Sequence, residues 1–445
     1  MTATKSIYLV LAFLAVSAPA LAQTPLALTL EEAVTKGVAQ APRLAESRAR
    51  VAAASAAVTG RNAIALPSVT ASGGYLRTNH VPEYGIPQAG GGTKIIFPDV
   101  PNNYQARAEV DMPLYTSGRV GALVDAARSE QTAAGADLTA TEQDIRLQVT
   151  VTYWALVTVR DSVSVLEESQ RRMDAYVADV KARVDGGILP PNDLQSAQAQ
   201  RARQMVQLIQ ARNNAAFAQA ELARLIGADP DQPITPASSV DRPMPNTGDL
   251  AAQPFATLVA RASAGRAERA ALVARQAAME STATAALASL RPWIGAGAAV
   301  QPARPNQLFV PRVDSWNTSW TAGVNVTWQL FDGGKAHADQ AAALAQADAI
   351  KSRLDDFDAV VRLEIRQRLL DLDSDRAAIA ASDEAVAAAT EALRVLQERF
   401  RAGVATSTDT LDGQVALLEA QLERTRLSAA LRVAEARFLR SLGAL

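Results

Sequence analysis

Trp320-Thr321-Ala322-Gly323-Val324-Asn325-Val326-Thr327-Trp328-Gln329-Leu330-Phe331-Asp332-Gly333-Gly334 lies near the start of the stretch, Asn317 to Asp412, around which the chain is organised. Its first part alternates: Trp320, Ala322, Val324, Val326 and Trp328 are apolar, and the residues between them are small or polar. A period of two marks a strand with one apolar face and one wet face. Leu330 to Gly334 breaks the strand, and from Lys335 to Ala402 there is neither glycine nor proline. Ile365, Leu372, Ile379, Val386, Leu393 and Phe400 recur at every seventh position, the seam of a coiled coil. At ~1.5 Å per residue this predicts one helix about 100 Å long, beyond the size of an ordinary globular core. Gly403 ends it, Val404-Ala405-Thr406-Ser407-Thr408 turns the chain, and a second helix is expected near Asp409.

The same pattern occurs twice. Under a shift of 216 positions, Pro113-Leu114-Tyr115-Thr116-Ser117-Gly118 falls on Gln329-Leu330-Phe331-Asp332-Gly333-Gly334. Val149, Leu156, Val163, Val177 and Val184 fall on Ile365, Leu372, Ile379, Leu393 and Phe400, Gly187 on Gly403, Asp193 on Asp409, and Gly227 on Gly443. Two tandem copies of strand, long helix, turn and returning helix make the chain mainly α with a β part.

The expected order is then a signal peptide at 1–22, a first repeat at 23–227, a proline-rich linker at 228–254 and a second repeat at 255–445. The first repeat holds helix from Leu28 to Arg61, split or kinked at Pro42, a β-hairpin at 68–114 with an exposed loop from Thr78 to Asn103, and a helical hairpin at 119–226. The second holds helix from Phe255 to Leu290, a β-hairpin at 292–330 and a helical hairpin at 335–443. Lys5, the apolar run Ile7 to Val16 and Ala20-Leu21-Ala22 give the leader its charged, apolar and small-residue parts.

With 445 residues, a net charge of −2 and 49% hydrophobic residues, the chain lacks the basic stripe of a nucleic-acid binder. It has no cysteine, which removes disulfides, thiol catalysis and cysteine-bound metals. No segment after the leader is apolar enough for a spanning helix. His80 and His337, the only histidines, have no partner pattern for a metal or a catalytic triad, and Gly90-Gly91-Gly92-Thr93-Lys94 lacks phosphate-loop spacing. The sequence predicts no enzyme and no cofactor.

The strands point to a membrane instead. In Tyr104 to Met112, Gln105, Arg107, Glu109 and Asp111 alternate with apolar residues, and charges at every second position need a wet interior such as a barrel lumen. Trp293, Trp316, Trp320 and Trp328, four of five tryptophans, lie in the second β-hairpin, as a bilayer girdle with Tyr104 or as a globular core. One chain supplies four strands, fewer than the roughly eight of the smallest closed barrel, and open edges cannot stand in lipid. Several copies must therefore close one barrel together.

The leader, the paired halves, Leu330-Phe331-Asp332-Gly333-Gly334 and Arg399-Phe400-Arg401-Ala402-Gly403 leading into Asp409-Thr410-Leu411-Asp412 resemble the TolC family of outer-membrane efflux ducts. The resemblance covers nearly all of the chain after the leader. It implies a homotrimer with a 12-stranded β-barrel in the outer membrane, continued by an α-helical coiled-coil barrel into the periplasm. It further implies passive passage of substrates, with a periplasmic adaptor (membrane fusion protein) and an inner-membrane transporter, or a type I secretion system, as partners.

By the same resemblance, Asp409 and Asp412 match the acidic pair of the closed periplasmic aperture. Capping of the second helix is a further role open to both. Asp193 matches a carboxylate that latches this mouth. Phe400 stands where the latch needs a tyrosine hydroxyl and Ala405 where it needs an arginine, so packing of Phe400 is the expected substitute. Gly187-Ile188-Leu189 and Gly403-Val404-Ala405 match the turns presented to the adaptor, although glycine also simply ends helices. A soluble periplasmic coiled coil without a pore is the competing class, and alternating charged strands speak against it. An adaptor would carry one helical hairpin between compact β domains, and this chain has two.

Overall fold

The structure is a computed structural model that describes residues 26–238, 240, 243–245 and 247–445. The expected signal peptide at 1–22 lies outside the described residues. In chain order the elements are β1 (Leu26–Leu28), α1 (Leu30–Gln40), α2 (Pro42–Ala63), β2 (Ser68–Arg77), β3 (Tyr84–Pro87), β4 (Thr93–Phe97), β5 (Asn102–Tyr115), α3 (Arg119–Asp185) and α4 (Pro191–Ile226). There follow β6 (Ile234–Pro236), α5 (Thr247–Ala251), α6 (Phe255–Gly265), α7 (Ala267–Ala288), β7 (Trp293–Arg304), β8 (Asn317–Thr327), α8 (Lys335–Arg401) and α9 (Ser407–Ser441). Among the described residues, no helix is long and apolar enough to cross a membrane.

The duplication extends further than one offset reveals. Helices α3 and α8 both have 67 residues and begin 216 positions apart, at Arg119 and Lys335. Before the strands the spacing is 225: α1 and α6 have 11 residues each, starting at Leu30 and Phe255, and α2 and α7 have 22 each, starting at Pro42 and Ala267. The nine-residue difference is taken up between the strands, where the first copy carries the extra hairpin β3–β4. The chain segment expected to be an exposed loop thus holds strands, because Tyr84, Ile86, Thr93, Ile95, Ile96 and Phe97 are β-formers and the turn between them passes through Gly91 and Gly92, which have φ of 84° and 119°.

The described residues fall into two compact units. The first contains residues up to Gln40, Val149–Arg242 and Ser382–Ala429, and the second contains Ala41–Gln148, Pro243–Ala381 and Ala430–Leu445. In the first, β1 runs parallel to β6, so part of the 228–254 linker is ordered strand rather than irregular chain. The buried Tyr153 hydroxyl fixes this pairing, donating to Leu28 O at 2.9 Å and accepting from Ser238 N at 3.0 Å. Thr29 caps α1: its hydroxyl accepts from Glu32 N, and Glu32 accepts from Thr29 N at 2.9 Å.

The core of the second unit gathers Leu258 and Ala262 of α6, Val361, Ile365 and Leu372 of α8, Leu431 and Phe438 of α9, and Leu442 just beyond it. Each fully buried leucine, isoleucine or phenylalanine contributes about 1.5–3 kcal/mol, so the heptad seam is also the energetic seam. The expected Phe255–Leu290 helix breaks at Arg266, which is extended at φ −76° and ψ 111°. Two contacts explain the break. A Cβ on Gly265 would lie 2.8 Å from Leu442 O. The Arg266 guanidinium donates to Ser441 O and pairs with Glu364 at 3.0 Å, closing the end of α9.

Candidate functional site

Strands β2, β5, β7 and β8 form one antiparallel sheet in that order, inside the second unit. Among the described residues β2 and β8 have a partner on one side only, and the sheet is open rather than closed into a barrel. Directly opposed residues share a face, so register sorts every side chain. One face carries Val69, Ala71, Ala108, Val110, Met112, Ala296, Ala298, Val300, Trp320, Ala322, Val324 and Val326. The other carries Ser68, Thr70, Ser72, Gln105, Arg107, Glu109, Asp111, Gln301, Thr321 and Asn325.

The apolar face is bare: Val69 is 73% and Trp320 is 76% exposed. On the polar face, Arg107 pairs with Glu109 at 2.8 Å and reaches Gln301. Gly297 makes room for Asp111, whose carboxylate lies 2.8 Å from where a Cβ would stand.

The aromatic residues divide between the ends of the sheet. Tyr104 packs on Tyr75 with ring centroids 5.0 Å apart and on Trp316 at 6.2 Å. Trp320 stands opposite Val300 on the apolar face. Trp328 follows β8 at the other end and donates its indole N–H to Leu290 O at 3.0 Å. Trp293 departs from the expected belt. It pairs with Thr327 and folds over Gly295, which puts it on the polar face. The reason is the pleat: Trp293 is one residue out of phase with Ile294 and Ala296, and one step reverses the face.

Both copies join strand to helix in the same way. Ser117 and Gly118 have φ of 51° and 82°, and Gly333 and Gly334 have φ of 71° and 86°. Asp332 accepts from Gly334 N at 2.9 Å and Ala336 N at 2.7 Å, which starts α8.

The turns joining α3 to α4 and α8 to α9 belong to the first unit, and they too are copies. Gly187 and Gly403 have φ of 71° and 75°, while Ile188 N donates to Arg183 O and Val404 N to Arg399 O, each at 2.8 Å. Ile188 is 72% and Val404 is 66% exposed. Leu189 and Ala405 instead pack against the buried cluster of Met173, Tyr176, Val180, Ala197, Phe400 and Leu411.

Asp409 closes a capping box rather than standing at the N-cap: it accepts from Thr406 N at 2.9 Å and from the Thr406 hydroxyl at 2.7 Å. Those side-chain and backbone bonds, with the charge of Arg399, hold its carboxyl below the usual range. Asp412, one turn on, is exposed and makes no hydrogen bond or ion pair among the described residues. In the first copy Pro190 replaces the threonine, so Asp193 has no hydroxyl to bind and accepts only from Asn192, at 3.2 Å.

Phe400 is buried, stacks against Tyr176 with centroids 5.7 Å apart and lies 4.7 Å beneath the Arg183 guanidinium. Arg183 also donates to Phe400 O and pairs with Asp179. A polar contact between α3 and the start of α9 comes from a residue that sequence reasoning missed. Tyr176 of α3, buried, donates to Ser407 O at 3.0 Å and lies 2.9 Å from the Ser407 hydroxyl at the start of α9. Its equivalent in the second copy is Ala392, so the repeat gave no sign of it.

The family model of outer membrane efflux proteins matches residues 35–228 and 258–444. The chain belongs to the outer membrane efflux protein family. It is 26% identical over 299 residues to the outer membrane efflux protein BepC of Brucella suis biovar 1 (strain 1330). That match covers 67% of this chain and spans 63% of the length of BepC. The fold is shared with a membrane protein from Pseudomonas aeruginosa, at a TM-score of 0.78 and 21% identity, covering 93% of both chains. It is shared also with the outer membrane protein VceC of Vibrio cholerae, at a TM-score of 0.75 and 19% identity, covering 93% of this chain and 96% of that one.

Proposed function

We propose that the chain is one third of a homotrimeric exit duct in the outer membrane. Through it, substrates delivered by a periplasmic adaptor and an inner-membrane transporter, in a tripartite efflux pump or a type I secretion system, pass without further energy input. One observation carries this reading: an open four-stranded sheet, apolar on one face and charged on the other, whose two edge strands are paired on one side only among the described residues. Backbone groups on such edges cannot be left unbonded in lipid, and three copies joined β8 to β2 would make a 12-stranded barrel with Arg107, Glu109 and Asp111 in its lumen. Tyr104, Trp316 and Trp320 would serve the outer aromatic girdle and Trp328 the inner one. A soluble coiled coil would have to cover the bare apolar face, which nothing among the described residues does.

In this reading α3, α4, α8 and α9 continue the duct as a coiled-coil barrel. Asp412 and the capped Asp409 line its periplasmic aperture, with Asp193 and Phe400 beside them. Ile188 and Val404, at Gly187 and Gly403, meet the adaptor, while Leu189 and Ala405 support these turns from within. The test is conductance in planar bilayers: purified protein should form discrete, cation-preferring channels blocked by multivalent cations. Absence of any channel activity from a folded, membrane-inserted preparation would sink the reading.

A further inference from the structure

Gln170 of α3, Gln204 of α4 and Gln414 of α9 are 5%, 2% and 2% exposed, inside the first unit. They stand at one level. Leu166, Leu208 and Leu418 pack in one cluster, and four residues from each, forward on α3 and backward on α4 and α9, lie the three glutamines. Three residues further, Met173 and Leu411 share the next apolar cluster. Positions three and four apart on a helix occupy one face, so a layer of amides is held between two apolar layers.

The layer is under-bonded. Gln170 donates from its amide nitrogen to Asp174 at 3.3 Å. Its oxygen, and both amide atoms of Gln204 and Gln414, have no hydrogen-bond partner among the described residues. The heptad Val149, Leu156, Val163, Gln170, Val177, Val184 is polar only at this step, and the second copy has Val386 there. A buried amide without a partner opposes the packing that buries it, whereas leucine in its place would favour that packing. Once the helices separate, water bonds to the amides, so separation is easier here than at the layers on either side.

We propose that Gln170, Gln204 and Gln414 form a built-in parting level, at which α9 leaves α3 and α4 when the helical tip opens. Opening rests on the duct reading; the easy separation of the three helices does not. Two measurements on the full-length protein in detergent and in bilayers decide the matter, comparing wild type with the triple variant Gln170→Leu, Gln204→Leu, Gln414→Leu and the single variant Gln414→Leu. Hydrogen exchange of backbone amides at 200–208 and 411–418 should slow by about tenfold in the triple variant and by less in the single one. The open fraction of the channel should fall in the same order, with the conductance of the open state unchanged. Exchange and open fraction equal to wild type, or increased, would overturn the proposal. Should the triple variant fail to fold, the single variant decides it by the same two readings. A silent wild-type channel with slowed exchange in the variants would remove the duct reading and leave the parting level standing.

Discussion

Tyr176→Phe removes one oxygen from the helical tip and leaves the packing in place. The ring stays in its cluster with Met173, Val180, Phe400 and Leu411, so no cavity opens. What is lost is the donation to Ser407 O at 3.0 Å and the contact with the Ser407 hydroxyl at 2.9 Å. Ser407 is 3% exposed, so its hydroxyl would be left dry and without this partner. Orphaning a buried hydrogen-bonding group costs about 1–2 kcal/mol, a factor of roughly 5–30 in a local opening equilibrium. Tyr176→Ala adds the loss of the ring and should cost about 3–5 kcal/mol.

Hydrogen exchange of amides 407–411 in the intact protein reads both variants directly. The pH dependence supplies a second signature. Burial pushes the Tyr176 hydroxyl pKa up; bonds with Ser407 and Thr410 act against this, and the charges of Asp193 and Asp179 add to it. A group whose pKa is raised on folding stabilises fully below its unfolded value, about 10 for tyrosine, and that contribution is lost as pH rises through the folded value. Wild type should therefore lose thermal stability above pH ~10 more steeply than Tyr176→Phe. If Tyr176→Phe exchanges like wild type at 407–411, the hydroxyl does not tie α3 to α9; a shared alkaline profile would contradict its burial.

At the aperture, Asp412→Asn should weaken cation preference in bilayer recordings without altering thermal stability, since the Asp412 carboxylate has no partner to lose among the described residues. Thr406→Ala should do the reverse, loosening the first turn of α9 in hydrogen exchange while leaving selectivity at neutral pH nearly unchanged. Gly403→Ala, forced to φ 75°, should destabilise the turn by about 1–2 kcal/mol, seen as faster exchange at 403–406. In the second unit, burial raises the Glu268 pKa, but the hydrogen bond from Arg440 and the charges of Arg266 and Arg440 outweigh it and hold the carboxyl below its ordinary value. A depressed folded pKa stabilises above the unfolded value of 4.5 and is lost as pH falls. Glu268→Gln should accordingly be less stable than wild type at neutral pH, with the gap closing below pH ~4.5 in thermal melts.

Much of the fold was legible because repetition and period do not depend on tertiary context. The heptad seam and the offset of 216 located α3 and α8, whose equal lengths follow from the same glycine punctuation at Gly118, Gly187, Gly334 and Gly403. The offset of 225 stayed hidden, because nine additional residues between β2 and β5 break the alignment and alanine-rich α2 and α7 carry little pattern. The break at Arg266 arises from the approach of Gly265 to Leu442, a contact between residues far apart in the chain. Trp293 shares the second hairpin with three other tryptophans, whereas the pleat assigns faces by parity. In the site, Gly187, Gly403, Asp193, Asp409 and Asp412 could be named from their repeat positions, but burial could not. Only packing separates exposed Ile188 and Val404 from their inward neighbours Leu189 and Ala405. The glutamine layer did leave a trace: Gln170 is the one polar step in an otherwise apolar heptad.

Everything proposed for the membrane part depends on one chain being a third of a barrel. Native mass spectrometry of the detergent-extracted wild-type protein tests this most directly, because the unpaired β2 and β8 edges must find partners in other copies. The expected result is a single species with the mass of three chains that needs detergent to stay in solution. A monodisperse monomer stable in detergent-free buffer would contradict it.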